Sequence, residues 1–201
     1  FPQNGFELKN GFLTFHNVSL EHLIKKHGTP FRLFYLPNIA EKIKQARNLF
    51  NKAFHKHNYL GNYQYCYCTK SNHFSHTVSA ALKENVHLET SSSFDIDLII
   101  NLYKEGKVTK DIIVINNGYK TEEYLMKVIS LYEIGFKNVI VVLDNQPELE
   151  RLNRLLKKNK KKIKIGIRMA INEEAQSSYY TSRMGIRHTE INDFYIKEIK
   201  N

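Results

Sequence analysis

Only two of the 201 residues are cysteine, and they stand two apart as Cys66 and Cys68. Parallel side chains at that spacing on a strand lie at the edge of disulfide reach, so a bridge is disfavoured and a reducing compartment is implied. Two thiols and nine scattered histidines show no ligand spacing, and His55 and His57 fall on opposite sides of an expected helix. No metal site is therefore expected. No apolar run approaches the ~18 residues that a membrane span needs, and the chain starts at Phe1 without a charged, apolar, small-residue leader. The expectation is a soluble, cytoplasmic protein without a membrane partner, read as a piece of a longer chain. G-x-G-x-x-G and G-x-x-x-x-G-K-S/T are both missing, which removes the usual support for dinucleotide or P-loop chemistry.

Acidic residues are also scarce, 20 against 30 lysines and arginines, for a net charge of +10. Such an excess raises a basic nucleic-acid-binding module as an alternative. Much of it sits in Lys157-Lys158-Asn159-Lys160-Lys161-Lys162, where lysines at a helix end offset the macrodipole and no aromatic is present to stack a base. A solvated turn, with no nucleic-acid partner, is the favoured account.

What is present is an ordinary globular mixture, 42% hydrophobic and 25% charged, enough for one sizeable domain. Residues 1–30 read as a lead-in with a short helix over 20–27, capped by Ser19 and closed by Gly28. From there strands are expected at 31–36, 63–70, 86–90, 111–116, 138–143 and 163–169, separated by helices. The first long helix carries Ile39, Ile43, Ala46, Leu49, Phe50, Ala53 and Phe54 on one face. Six strands alternating with helices specify a parallel sheet with right-handed crossovers. The fold class is α/β, a TIM-like (β/α)8 barrel favoured over a doubly wound sheet, with about six strands in residues 31–201.

The chemistry centres on Tyr63-Gln64-Tyr65-Cys66-Tyr67-Cys68-Thr69-Lys70. A period of two puts Gln64, Cys66, Cys68 and Lys70 on one face, with the lysine at the strand's carboxyl end, where α/β enzymes keep their chemistry. A lysine partly desolvated there becomes a nucleophile toward an aldehyde. His87 and Glu89 share a face of the next strand, and alternation turns Arg168 inward near the end of the last. An amine, a carboxylate and a guanidinium suit an anionic aldehyde, although spacing alone leaves an inward salt-bridge network open. Asn116-Asn117-Gly118-Tyr119-Lys120 is a polar loop whose glycine allows close approach of a ligand, or a simple turn.

These stretches together resemble the fold-type III pyridoxal-phosphate enzymes, most closely the biosynthetic arginine decarboxylases. The resemblance rests on Tyr67-Cys68-Thr69-Lys70-Ser71-Asn72, Leu88-Glu89-Thr90 with its three serines, Asn117-Gly118-Tyr119-Lys120, Ile165-Gly166-Ile167-Arg168 and Ser182-Arg183-Met184-Gly185-Ile186. It implies a barrel of the alanine racemase type, truncated before its last strands and its C-terminal β domain. By position, Lys70 would bind the aldehyde of pyridoxal 5'-phosphate, Glu89 and Arg168 would line the cofactor, and His76 occupies a histidine position. The implied reaction is decarboxylation of a basic amino acid, first arginine to agmatine for polyamine biosynthesis, in a homodimer or higher homo-oligomer. This piece alone is expected to be inactive. Diaminopimelate decarboxylase of lysine biosynthesis and a small barrel-only cofactor-binding protein are the related alternatives. Ser71, His73 and Phe74, and the serines in place of a glycine-serine-lysine, depart from the pattern.

Overall fold

Alternating apolar residues between paired turn residues build the first element. In the computed structural model, which describes residues 4–157, 162–170 and 184–200, β1 (Phe6–Lys9), β2 (Phe12–Phe15) and β3 (Val18–Ser19) form an antiparallel meander. Asn10-Gly11 and His16-Asn17 make its two-residue turns, all four at positive φ, the backbone that matches the twist of a hairpin. Ser19 then caps α1 (Leu20–His27) through the amide of His22, and Gly28 closes it at positive φ. Residues 1–35 form one compact unit and residues 36–201 a second.

The strand expected at 31–36 is not formed. Residues 31–35 form no ladder, and Phe31, Leu33 and Phe34 are exposed, so neither a ladder nor a buried face fixes an extended strand. Tyr35 stacks face to face on His16 at 3.7 Å instead.

The second unit opens with α2 (Pro37–Lys56), its proline in the first turn where a missing N–H costs nothing. Of its expected apolar face only Ile43 is buried. Phe50 stacks on Tyr63 at 4.0 Å and Phe54 meets Tyr59, so the second half of α2 covers the aromatic approach to the sheet.

Five parallel strands follow: β4 (Cys66–Cys68), β5 (His87–Thr90), β6 (Ile113–Asn116), β7 (Asn138–Leu143) and β8 (Lys164–Ile167), paired strictly in chain order. Between them run α3 (Ser75–Leu82), α4 (Ser93–Lys104), α5 (Glu122–Ile134) and α6 (Gln146–Leu156). Each βα turn carries its own stop or start. Ser92 and Asp95 form a capping box on α4, Thr121 caps α5, Asn145 caps α6, and Gly135 ends α5 in the left-handed region.

Alternate strand residues, Leu88, Val114, Val139, Val141 and Leu143, pack into one core with Ile96, Ile99, Leu125, Val128, Leu131 and Leu152 of the helices. Each such side chain contributes about 1.5–3 kcal/mol of burial. Strand order that never reverses, with the helices packed into one core with the sheet, is the winding of a (β/α) barrel; a doubly wound sheet turns back on itself. Beyond β8, β9 (Met169–Ala170) pairs with β10 (Ile186–Arg187) in parallel, and α7 (His188–Phe194) follows. Residues 158–161 of the lysine run, and Ser182 and Arg183 of the serine-arginine motif, lie outside the described residues.

Candidate active site at the carboxyl ends of the strands

The lysine's turn is fixed by its neighbours. β4 ends at Cys68, and Thr69–Ser71 turn through a single 3₁₀ turn. Buried Thr69 donates its hydroxyl to the Glu89 carbonyl at 3.0 Å, Ser71 donates to the Cys68 carbonyl at 2.6 Å, and the Tyr67 hydroxyl donates to the Asn72 carbonyl at 2.6 Å. The Lys70 side chain itself is exposed. This corrects the expected desolvation: the strand stops two residues early, so the lysine leaves the pleat and opens onto a cavity of about 480 Å³ lined by His73, Ser91, Ser92, Phe94, Asp95 and Leu98.

Parallel register sets Cys68 beside Glu89 and Cys66 beside His87. The Cys68 thiol donates to Glu89 Oε1 at 3.7 Å, and Asn117 Nδ2 donates to the same oxygen at 3.2 Å. Burial, reinforced by the Glu89 charge, pushes the Cys68 thiol up and the Cys66 thiol up to about 11. Both cysteines are free thiols, kept as weak donors rather than thiolates. His87 lies toward the amino end, where its Nδ1 accepts the Ile113 amide at 3.1 Å and Nε2 meets Gln64 at 2.8 Å. Burial, and then the Arg47 charge, lowers its pKa, so His87 is a neutral bracket between strands.

The β5–α4 turn is held by one carboxylate. Asp95 Oδ2 accepts the amides of Ser91 at 2.8 Å and Ser92 at 3.0 Å. Above it, Gly118 adopts φ +73°, and a Cβ there would come within 3.5 Å of the Ser91 carbonyl. Asn116 is buried and spans three strands, accepting from Thr90 and donating to the Val114 and Ile140 carbonyls. Tyr124 reaches the same place through the Thr90 hydroxyl at 2.7 Å, its own pKa raised mainly by burial. The side-chain oxygen of Asn117 is buried without a hydrogen-bond partner.

Lys120, read from sequence as part of a polar loop, is fully buried. Its Nζ donates to the Gly118 carbonyl at 2.6 Å and to Glu148 Oε2 at 3.2 Å, and its amide donates to Glu148 Oε1 at 2.8 Å. Burial lowers the lysine's pKa, and the Glu148 charge pulls it partly back up. Glu148 also takes the Asp144 amide at 2.9 Å. Asp144, 3% exposed, meets Arg168 Nη1 at 3.3 Å.

The expected site residues are thus placed unequally. Glu89 is brought beside the lysine's own strand by register. Arg168 sits where β8 breaks before β9, exposed, with Asp144 and Met184 as its partners, and four strand spacings from β4, about 19 Å along the sheet at ~4.8 Å each. Ile163, Ile165 and Ile167 pack on the core as expected, whereas Met169 is exposed. His76 stands exposed in the first turn of α3 against Phe74 and does not line the lysine's cavity, because α3 starts at Ser75 and its first turn carries position 76 away; His73 lines it instead. Sequence reading missed the Lys120–Glu148 pair and Asp144. The asparagine-x-x-glutamate spacing of Asn145 and Glu148 was the one available signal.

A singly wound parallel barrel segment, with a lysine at the carboxyl end of one strand and a carboxylate in register on the next, defines a barrel domain equipped to hold a carbonyl compound through an amine. The chain belongs to the pyridoxal-dependent decarboxylases: the model of that family's pyridoxal binding domain matches residues 39–198. It is 26% identical over 184 residues to the biosynthetic arginine decarboxylase of Citrifermentans bemidjiense, covering 87% of this chain and 28% of the relative. With the biosynthetic arginine decarboxylase of Pelobacter propionicus it shares 29% over 135 residues, 65% of this chain and 20% of the relative. Its fold matches the crystal structure of the Campylobacter jejuni biosynthetic arginine decarboxylase with a TM-score of 0.71 at 20% identity, over 97% of this chain and 33% of that one. Diaminopimelate decarboxylase from M. jannaschii matches with a TM-score of 0.71 at 19% identity, over 98% and 44%. The chain spans less than a third of the length of these two curated relatives.

The cofactor of the family is pyridoxal phosphate, and the residues present fit it. The Lys70 amine opens on a cavity, and Arg168 retains N–H donors beyond those given to Asp144 and Met184, which suit an anionic oxygen.

Proposed function

We propose that the protein containing this domain decarboxylates arginine to agmatine with pyridoxal phosphate held at Lys70. The observation that carries the reading is the placement of Lys70 just past the carboxyl end of β4, opening on a cavity, with Glu89 in register beside Cys68 of the same strand. When bound, the cofactor supplies an electron sink for the charge left by the departing carboxylate. Lys70 Nζ would hold the cofactor through its amine and would pass a proton to or from the substrate's amine. The turn pinned by Thr69 and Ser71 holds that nitrogen in place, so its orientation is settled before substrate arrives. Glu89, itself held by Cys68 and Asn117, supplies negative charge that favours a protonated nitrogen nearby. The donors of Arg168 take an anionic oxygen.

Arginine is preferred to diaminopimelate because the curated relatives named above are arginine decarboxylases, whereas the likeness to diaminopimelate decarboxylase is one of fold. We further place the protein in the cytoplasm as a homodimer or higher homo-oligomer. Its free thiols suit a reducing compartment, and no helix among the described residues is long and apolar enough to cross a membrane. The test is borohydride reduction of the full-length protein with pyridoxal phosphate, followed by peptide mapping and by product analysis with arginine, lysine, ornithine and diaminopimelate. A reduced adduct at Lys70 and agmatine from arginine are expected. A folded protein without an adduct at Lys70 would end the cofactor reading, and a different product would end the choice of arginine.

A further inference from the structure

The exposed Arg168 and the buried Asp144 are unequal partners. Asp144 is anchored on three sides: its amide donates to Glu148 Oε2 at 2.9 Å, its carbonyl accepts the Gly185 amide at 2.9 Å, and its carboxylate is 3% exposed. Glu148 is in turn locked by the side chain and amide of Lys120. Among the described residues Arg168 makes two side-chain contacts, Asp144 Oδ1 at 3.3 Å and Met184 Sδ at 3.2 Å, on a long side chain that gives up rotamer freedom when it is held. Among the described residues the second carboxylate oxygen of Asp144 is buried without a hydrogen-bond partner, a state that costs energy unless a donor reaches it.

We propose that Asp144 is the positioning residue for Arg168: held by Glu148 and Lys120, it grips one edge of the guanidinium and turns the remaining N–H donors toward the anionic oxygens of the cofactor. The inference rests on the pyridoxal-phosphate reading. With the guanidinium turned in this way, Asp144 Oδ2 would accept a second N–H of the same group and complete a two-pronged pair. Asp144 does not touch the cofactor; it acts through Arg168. Lys120 and Glu148, from two other βα turns, serve the same end by fixing the backbone on which that carboxylate stands.

The experiment is a double-mutant cycle in the full-length apoprotein, with cofactor affinity read by absorbance titration and Lys70 occupancy by borohydride trapping. Asp144→Asn and Arg168→Gln are each expected to weaken cofactor binding about tenfold, the scale on which supporting residues tune a bound group. The double variant is expected to bind no more weakly than the weaker single, since both remove one interaction. Unchanged affinity in Asp144→Asn, or a double variant whose loss is the product of the two, overturns the proposal. If Asp144→Asn does not fold, the same cycle with Asp144→Glu, which keeps the charge but displaces it, carries the same expectations. Should Arg168→Gln bind normally while the Lys70 adduct persists, the proposal falls and the cofactor reading stands. No adduct in the unsubstituted protein removes both.

Discussion

Replacing Lys120 with methionine keeps the length and volume of the side chain and deletes only its ammonium. Both members of its pair are fully buried, and truncating one partner of a buried pair generally costs about 3–5 kcal/mol, because the other charge is left without compensation. Glu148 keeps two backbone donors, the Lys120 amide at 2.8 Å and the Asp144 amide at 2.9 Å, which places the expected loss near the lower end, about 3 kcal/mol. Adding Glu148→Gln removes the stranded charge, and Lys120→Met/Glu148→Gln should recover part of the loss, leaving about 1–2 kcal/mol for the weakened amide contacts. Urea unfolding of the full-length protein measures this directly. At a slope of about 2 kcal/mol/M, the single change moves the midpoint down by about 1.5 M, and the double change by less. A shift under about 0.5 M for Lys120→Met, or a double variant as damaged as the sum of its parts, would refute the buried-charge reasoning.

His87 should make stability pH-dependent. Its pKa is lowered in the folded state, so the folded protein binds the proton less readily than the unfolded chain. Stability is full above the ordinary histidine value of ~6.5 and is lost as pH falls through the depressed folded value, with Nδ1 no longer able to accept the Ile113 amide. Urea midpoints between pH 8 and 5 should fall in the unsubstituted protein and flatten in His87→Gln; equal slopes would count against the bracket. Cys66, with its thiol at about 11, carries at pH 8 about two hundredfold less thiolate than a free cysteine of pKa ~8.5. Iodoacetamide labelling of the native protein followed by mass spectrometry should therefore leave it largely unmodified, and labelling at the free-thiol rate would contradict the burial. Gly185 stands at φ +101°, where a Cβ would lie 2.8 Å from the Ala170 amide nitrogen and 2.9 Å from the Arg168 carbonyl. Gly185→Ala should cost at least about 1–3 kcal/mol and speed hydrogen exchange at Ile186, whose amide bonds the Arg168 carbonyl; unchanged exchange would show that the β9–β10 pairing tolerates the strain.

The strands from β4 to β8, the helix caps and the position of Lys70 were legible because each is written in adjacent residues. Leu88 and Thr90 of β5 and Val139, Val141 and Leu143 of β7 show the period of two directly. Ser19, Thr121 and Asn145 announce their helices. The 31–36 segment has the same local signature as the true strands, four apolar residues after a proline, yet forms none. A strand is completed by a ladder partner, and that partner is not contained in the segment. The second half of α2 was legible in part: Phe50 and Phe54 do meet Tyr63 and Tyr59, but Leu49 and Phe50 stay exposed, since an apolar face is buried only as far as something lies opposite it.

The site divides along the same line. Lys70 and Glu89 are separated by a single crossover, so their placement at the carboxyl ends of neighbouring strands could be inferred, while the register itself sets Glu89 beside Cys68. Lys120 and Glu148 are also one crossover apart, yet nothing in Asn117-Gly118-Tyr119-Lys120 distinguishes a lysine that turns inward from one that turns to water. The difference lies in Gly118, whose positive φ and close approach to Ser91 fold the loop back so that Lys120 Nζ meets the Gly118 carbonyl and Glu148. Once the lysine is inside, a carboxylate must accompany it, since an isolated charge at full burial is far too costly. Glu148 supplies that carboxylate and, with its remaining capacity, takes the amide of Asp144. One buried charge at the end of β6 thereby constrains the end of β7, and through the Asp144 carboxylate the guanidinium at the end of β8. Substitutions at Lys120 should accordingly be felt at Arg168, although the structure shows no direct contact between the two side chains.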